Sequence, residues 1–395
     1  MSARPARHAV AAIFLLNGLL FGSWAARIPA VRDRLALSDG ELGLALACVA
    51  AGSLLSMPLA GAAASRVGSR PATRAMFALF CVAAGAVALA PSLPVLCVLT
   101  FAYGATLGAL DVTMNAHGVA VERRYGRPIL AGFHAGFSAG GLLGAALGAA
   151  AAAADIDVRV HLAALAAASL MAGLALSRRF LPAAEDSGAP GEPLLARPPR
   201  RLWAIGALGF ACLLIEGASA DWSGVYLKDD LGSSAAVAAL GFTAFSVTMT
   251  AGRLVGDRLV EALGPVRLVR TGGLVAAVGF ATALLAADPI VGIAGFACLG
   301  AGMAAIVPIV FRAAGAVPGI APGLALAAVS SMSYLGFLVG PPLIGAVAEL
   351  TSLPRALVLL VGLAVAVLAL APVTRPRTAA QTPRMAARTQ AMKTA

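Results

Sequence analysis

The chain has little charge and few aromatic side chains. Only 12% of its 395 residues are Asp, Glu, Lys or Arg and 6% are Phe, Trp or Tyr, whereas 60% are hydrophobic. A soluble protein of this length cannot bury so much apolar surface in its core. The composition therefore excludes a soluble globular protein and predicts an all-α membrane protein that crosses the bilayer many times.

The sequence also lacks the residue patterns of several enzyme and binding classes. Its five cysteines lie in apolar segments without metal-ligand spacing, and we interpret them as small hydrophobic side chains. It has no phosphate-binding loop, which argues against a self-contained ATP-driven pump. The basic residues behind the net charge of +11 are scattered between apolar segments, which argues against nucleic acid as a partner. We expect no enzyme activity, no metal and no other cofactor.

Long apolar segments make up most of the chain. We predict twelve membrane-spanning helices, with the first retained because no convincing signal-peptide cleavage site follows it. The predicted spans are residues 8–29, 41–64, 74–91, 94–120, 128–154, 158–178, 202–227, 235–256, 265–287, 289–312, 320–349 and 354–373. A Pro-rich, charged stretch after the sixth span divides the chain into two bundles of six helices. The predicted domains are thus 1–180, a cytoplasmic linker at 181–201, 202–375, and a disordered basic tail at 376–395.

The distribution of Lys and Arg predicts the orientation. With the N-terminus inside, 23 of the 29 Lys and Arg residues fall in cytoplasmic segments. Short cytoplasmic loops are enriched in these residues. Both termini are therefore predicted to be cytoplasmic.

Two acidic residues lie near the middle of predicted spans, Asp111 in span four and Glu216 in span seven. An ionisable group inside a bilayer costs on the order of 3 kcal/mol and commonly faces a wet cavity or a partner. One deep acid in each half suits a central cavity between two bundles. We expect Asp111 and Glu216 to carry protons; for Asp111 a structural hydrogen bond between helices is the alternative.

Polar residues near these acids are candidate solute ligands. Asn115 lies one turn from Asp111 on the same helix face, and His134 and Ser138 follow the short loop after span four. We expect all of them at one depth, with His134 as a proton relay. Ordinary helix packing is the alternative for Asn115 and His134.

Spans one, seven and eleven supply the remaining predicted solute ligands, which are Asn17, Trp24, Trp222 and Tyr334. The two tryptophans can stack on a sugar ring or simply anchor their spans at the membrane surface. Arg27 and Asp221, near the outer ends of spans one and seven, have opposite charge and similar depth. We expect these two to pair when the outer side closes.

The two halves repeat each other weakly. Gly140 and Gly144 of span five match Gly336 and Gly340 of span eleven at a shift of 196 positions. Gly104 of span four matches Gly300 of span ten at the same shift. A constant shift across two spans indicates parallel repeats.

A charged stretch follows the second span of each half. GAAASRVGSR runs from Gly61 to Arg70, and GRLVGDRLVEALGPVR runs from Gly252 to Arg267. Both resemble the loop signature of the major facilitator superfamily. In the first copy Ser65 stands where the signature has an acid, and in the second copy Arg253 stands where it has a glycine. The resemblance implies two pseudo-symmetric six-helix bundles and a gating role for Arg66, Arg70, Asp257 and Arg258.

Further motifs resemble one branch of that superfamily, the fucose–proton symporters and related bacterial inner-membrane transporters. They are GALDVTMNA from Gly108, NGLLFGSWAARIP from Asn17 and FHAGFSAGG from Phe133. The resemblance implies a monomeric secondary transporter in the inner membrane that moves a sugar-like polar solute with protons. The alternative is a proton-driven efflux pump for drugs or natural products. Such pumps commonly have an Arg in span four and Gly-Pro in span five, where this chain has Asp111 and no proline.

Overall fold

The computed structural model describes residues 3–37, 39–182 and 200–376, which form thirteen α-helices without a β-strand. In chain order the helices are α1 (Ala3–Leu35), α2 (Asp39–Val67), α3 (Ser69–Ala86), α4 (Leu93–Tyr125), α5 (Leu130–Ala153), α6 (Val158–Leu176), α7 (Arg200–Val225), α8 (Ala235–Leu263), α9 (Pro265–Ala286), α10 (Pro289–Met303), α11 (Ile306–Gly315), α12 (Pro322–Leu350) and α13 (Leu353–Leu370). Helices satisfy their own backbone hydrogen bonds, as a chain in lipid must. Most of the predicted linker and tail lies outside the described residues.

Eleven segments of the described chain are long and apolar enough to cross a membrane, and α10 with α11 counts as one of them. The predicted eighth span corresponds to α8, which has 29 residues but is not among the eleven. The all-α membrane fold is thus confirmed, whereas the count of twelve spans stays a prediction.

Two helix junctions are tighter than the sequence predicts. Gly68 joins α2 to α3 with a φ of 84°, and Gly264 joins α8 to α9 with a φ of 74°. Glycine adopts such a positive φ without steric cost, so one residue makes the turn. Most of each predicted loop signature is therefore helical. Arg253 and Asp257, which the sequence placed in a cytoplasmic segment, lie on α8 instead.

The predicted tenth span is broken. Helix α10 ends at Met303, and α11 begins at Ile306 after a turn at Ala304 and Ala305. Pro308 has no N–H to donate to the carbonyl of Ala304 four residues back, and Gly302 lies just before the break, so both residues favour an interruption here. The hydrophobic pattern alone continues through these positions and gave one continuous span.

The two halves repeat the same helix packing. The backbone at Gly104 on α4 touches Val49 on α2, and in the second half Gly300 on α10 touches Phe245 on α8. Gly300 follows Gly104 by 196 positions, and Phe245 follows Val49 by the same 196 positions. A Cβ at either glycine would overlap the facing carbonyl oxygen, so only glycine permits this close approach. The predicted pseudo-symmetry is thus present in the packing of the two bundles.

The halves contact each other mainly through α2 with α12 and α5 with α8. Gly61 near the end of α2 touches Gly323 at the start of α12, and Gly256 near the end of α8 faces Ala131 at the start of α5. All four helix termini belong to the predicted cytoplasmic end. The contacts described here therefore close the molecule at that end.

Candidate functional site

Asp111 lies in the middle of α4, where it is partly buried. Its Oδ1 accepts a hydrogen bond of 3.1 Å from Nδ2 of Asn115, one turn further along the helix. Its Oδ2 is buried without a hydrogen-bond partner. Asn115 therefore holds one oxygen of the carboxyl group, and the other oxygen is available to a proton or a solute.

His134 on α5 lies next to this pair. Its Nε2 is 3.2 Å from Oδ1 of Asn115, and because that oxygen only accepts, Nε2 carries the hydrogen. The imidazole is 8% exposed and packs between the rings of Phe14 and Phe311, the latter from the second half. The structure thus brings together Asp111, Asn115 and His134 in one hydrogen-bonded chain.

The second half contributes Glu216 on α7 and Arg253 on α8. The Arg253 Nη2 lies 3.8 Å from Oε2 of Glu216, and its Nη1 donates a 2.8 Å hydrogen bond to Oγ of Ser138 on α5. Ser138 in turn donates to the backbone carbonyl of His134. Arg253 therefore links the polar groups of both halves.

Sequence reasoning did not identify Arg253 as a site residue. It was missed because span eight was predicted to end at residue 256, which placed Arg253 at the membrane surface. Helix α8 continues to Leu263. Arg253 lies ten residues before that end, about 15 Å along the helix. An arginine so far from the helix end, and only 9% exposed, is placed among the polar groups of the centre.

Tyr334 on α12 lies near the two acids. Its phenol is close enough to Asp111 and Glu216 to feel both charges, and its ring packs against a small apolar cluster that includes Val112 of α4. Asn17 on α1 is fully buried, and its Nδ2 contacts Sδ of Met114 at 3.7 Å. Its Oδ1 has no hydrogen-bond partner. Both side chains therefore belong to the centre of the molecule, and their role as solute ligands stays a prediction.

The two predicted tryptophans occupy different surroundings. Trp24 is 5% exposed and packs against Tyr103, which lies eight residues, or about 12 Å, from Asp111 along α4. Trp222 is partly buried against Gly345 of α12. Each ring thus packs within its own half, and the structure does not bring Trp24 to the polar groups around Asp111.

Arg27 and Asp221 lie apart in this closed-inside arrangement. Arg27 is buried and donates to the carbonyl oxygens of Ile156 at 2.6 Å and Gly148 at 3.4 Å. Asp221 is exposed. Their pairing was predicted for the state in which the outer side is closed, so it stays a prediction.

A charged cluster joins the halves at the predicted cytoplasmic end, and we call it the latch. It consists of Glu122 on α4, Asp257 on α8 and Arg312 on α11. Arg312 binds Glu122 through two hydrogen bonds, one of them 2.7 Å long, and its Nη2 lies 3.8 Å from Asp257. Three helices from both halves thus meet in one ion-pair cluster.

The two latch carboxylates also bind the start of α5. Glu122 accepts from the backbone N–H groups of residues 129 and 130, and Asp257 from those of residues 131 and 132, all within 2.8–3.0 Å. These amides have no partner within the helix and carry partial positive charge. The α5 terminus is therefore held by one acid from each half.

The latch differs in part from the residues that the loop signature indicated. Asp257 belongs to it, but Arg66 and Arg258 are exposed, and Arg70 is partly exposed near His117. Sequence reasoning missed Glu122 and Arg312. Glu122 shares a helix face with Asp111, and Arg312 is the lone arginine in its predicted loop, so both signals were present but weak.

The sequence profile described as Major Facilitator Superfamily matches residues 10–220 and again 207–394, which together cover nearly the whole chain. The chain belongs to the major facilitator superfamily. Members of this superfamily are transporters rather than enzymes, and the two successive matches agree with the two repeated halves. The chain is thus a multi-pass membrane transporter.

Curated relatives in this superfamily come from bacteria. An uncharacterized transporter of Sinorhizobium fredii is 36% identical over 370 residues, which cover 92% of this chain and 97% of the relative. Membrane protein MosC of Rhizobium meliloti is 36% identical over 91% of this chain and 88% of its own. An uncharacterized MFS-type transporter of Yersinia pestis is 35% identical over 86% and 88%.

Solved structures of this superfamily share the fold. The Escherichia coli fucose:proton symporter superposes with a TM-score of 0.79 over 95% of this chain and all of its own, at 14% identity. The human organic anion transporter MFSD10 gives 0.77 over 94% of this chain and all of its own, at 17% identity. At such identities the likeness extends to the fold alone.

Proposed function

We propose that this transporter moves a small polar solute across the inner membrane by alternating access, coupled to protons. The observation that carries the proposal is the group of buried polar residues between the halves, with one acid from each. Asp111 and Glu216 each present a carboxylate oxygen without a hydrogen-bond partner. A buried acid next to a solute site can exchange protons as the solute binds and leaves.

The proposal assigns roles to the individual residues. Asp111, Glu216 and His134 carry or relay protons, while Asn115, Ser138 and Tyr334 bind the solute through hydrogen bonds. Asn17 contributes a further amide, and the latch keeps the predicted cytoplasmic end closed while the solute enters from outside. The distribution of Lys and Arg supports both termini in the cytoplasm. The pair of bundles within a single chain supports a monomer.

A transport assay tests this function. Purified protein is screened by thermal shift against neutral sugars, sugar acids and lipophilic cations such as ethidium, and the stabilising solutes are then tested for uptake into proteoliposomes. An inwardly directed proton gradient is expected to drive accumulation by the native protein. With Asp111→Asn, accumulation is expected to be lost while exchange of solute across the membrane continues.

Two outcomes would count against the proposal. Flux of the lipophilic cations alone would favour the efflux pump. Stabilisation by a solute without any net flux would indicate a receptor that binds without transporting. Asp230→Asn, at the exposed end of the turn after α7, is the matched control and is expected to leave accumulation unchanged.

A further inference from the structure

A buried arginine at the centre of the molecule uses only part of its hydrogen-bonding capacity. Arg253 is 9% exposed, and its Nη1 donates to Ser138. Its Nε is buried without a hydrogen-bond partner. A guanidinium has five N–H donors in a planar fork. Part of that fork is therefore available to a ligand.

The neighbouring carboxylate does not take up this capacity. Nη2 of Arg253 lies 3.8 Å from Oε2 of Glu216, beyond hydrogen-bond distance, and this oxygen has no other hydrogen-bond partner. The same chain makes a close pair in the latch, where Nη2 of Arg312 lies 2.7 Å from Oε2 of Glu122. Nη2 of Arg312 also lies 3.8 Å from Asp257, but the Asp257 carboxylate accepts two backbone N–H groups, whereas Oε2 of Glu216 accepts none. The unsatisfied oxygen is thus the particular feature of the central pair.

We propose that the transported solute carries a carboxylate and that Arg253 binds it in competition with Glu216. This inference rests on the proposed transport function and narrows its solute class. The guanidinium fork matches a carboxylate through two parallel N–H···O bonds, a geometry that lysine cannot reproduce. A buried cation with an incomplete partner is costly, which favours binding of a second anion.

This exchange of partners at Arg253 also explains how proton binding is coupled to solute binding. When the solute carboxylate takes Arg253, Glu216 loses its counter-charge and binds one proton, so that one anion and one proton cross together. Several groups surround this pair. His134 on α5 faces Arg253, Cys212 on α7 lies beside both, and Tyr334 on α12 faces Glu216 as well as Asp111.

Matched pairs of probes test the proposal. The purified native protein is titrated by thermal shift at pH 7 with D-glucuronate against D-glucose and with D-galacturonate against D-galactose. The acid of at least one pair is expected to bind tenfold more tightly than its neutral partner. Arg253→Lys, which keeps the charge but not the fork, is expected to abolish that preference. Glu216→Gln, which removes the competing charge, is expected to tighten binding of the acid several-fold.

The outcomes separate this proposal from a structural role of Arg253. A structural tie to Ser138 predicts that Arg253→Lys lowers stability with every probe and keeps the preference for acids, which would overturn the proposal. If Arg253→Lys does not fold, unchanged or weaker acid binding by Glu216→Gln overturns it equally. Binding and proton-driven uptake of neutral sugars but not of acids would overturn this inference and support the transport function. The absence of flux for every probe would overturn the transport function itself.

Discussion

His117 shows how a single buried side chain can hold three segments together. Its Nδ1 lies 2.6 Å from Oγ of Ser69 at the start of α3, and its Nε2 accepts the backbone N–H of Leu181 at 3.3 Å. The ring also packs on Phe180 with a centroid distance of 4.4 Å. A neutral imidazole with its hydrogen on Nδ1 satisfies both bonds.

Replacement of this histidine by phenylalanine should destabilise the first half. His117→Phe keeps the aromatic contact with Phe180 but removes the acceptor of the Leu181 N–H group. A buried donor left without its partner costs about 1–3 kcal/mol. We expect a lower apparent Tm in detergent, measured by intrinsic fluorescence. The control is His8→Phe at an exposed position, and equal shifts for both variants would contradict this account.

At the scale of helices, the latch depends on a shared cation. Arg312 neutralises two carboxylates, Glu122 and Asp257, that both bind the start of α5. Without the guanidinium, the two acids repel each other across the boundary between the halves. The closed arrangement of the predicted cytoplasmic end should therefore lose stability.

We expect Arg312→Gln to open that end. The ratio of open to closed molecules should rise roughly tenfold, which corresponds to about 1.4 kcal/mol. Spin labels at Arg124→Cys and Arg267→Cys, two exposed positions in opposite halves, report the opening as a longer distance in pulsed electron spin resonance. Arg258→Gln removes a nearby exposed charge that the loop signature indicated, and it should leave the distances unchanged. The same distances for both variants would show that Arg312 is not the shared cation of the closed state.

At the scale of the whole molecule, alternating access requires α2 and α12 to separate. A Cβ at Gly323 would lie 3.1 Å from Cβ of Ala64, slightly closer than the roughly 3.5–4.5 Å of a disulfide. The same Cβ would lie 2.8 Å from the carbonyl oxygen of Gly61, so α2 and α12 must move slightly apart for the bond to form. Such a bond would join the two halves at their closed end.

Oxidation of the double variant Ala64→Cys with Gly323→Cys should abolish transport, and a reductant should restore it. The matched control is Gly85→Cys with Ala166→Cys, in which the two Cβ positions lie 3.2 Å apart within the first half. That bond joins helices that move together, so transport should continue. Full activity of the oxidised Ala64–Gly323 pair would mean that the halves do not part at this end.

Both the fold and part of the site were predictable from the sequence. Apolar segments of bilayer length fix the helices, and the shift of 196 between glycines reveals the repeat, because close helix packing admits only a hydrogen atom at those positions. Asp111, Asn115 and His134 follow from helical spacing and a short loop. Helix ends were less predictable, since the polar residues of Gly252–Arg267 resemble a loop until the tight turn at Gly264 is known.

The sequence by itself determined that this is a two-bundle membrane transporter with an acid deep in each half, because apolar segments of bilayer length suit lipid whereas an acid in the middle of such a segment does not and must face protein or water. Tertiary structure alone decided which residues of different helices meet, within a half and across the two halves. Arg253 reaches Ser138 and approaches Glu216, and Arg312 reaches Glu122, through contacts between residues that lie 115, 37 and 190 positions apart. Local spacing cannot report such contacts, because they depend on how whole helices are placed against one another.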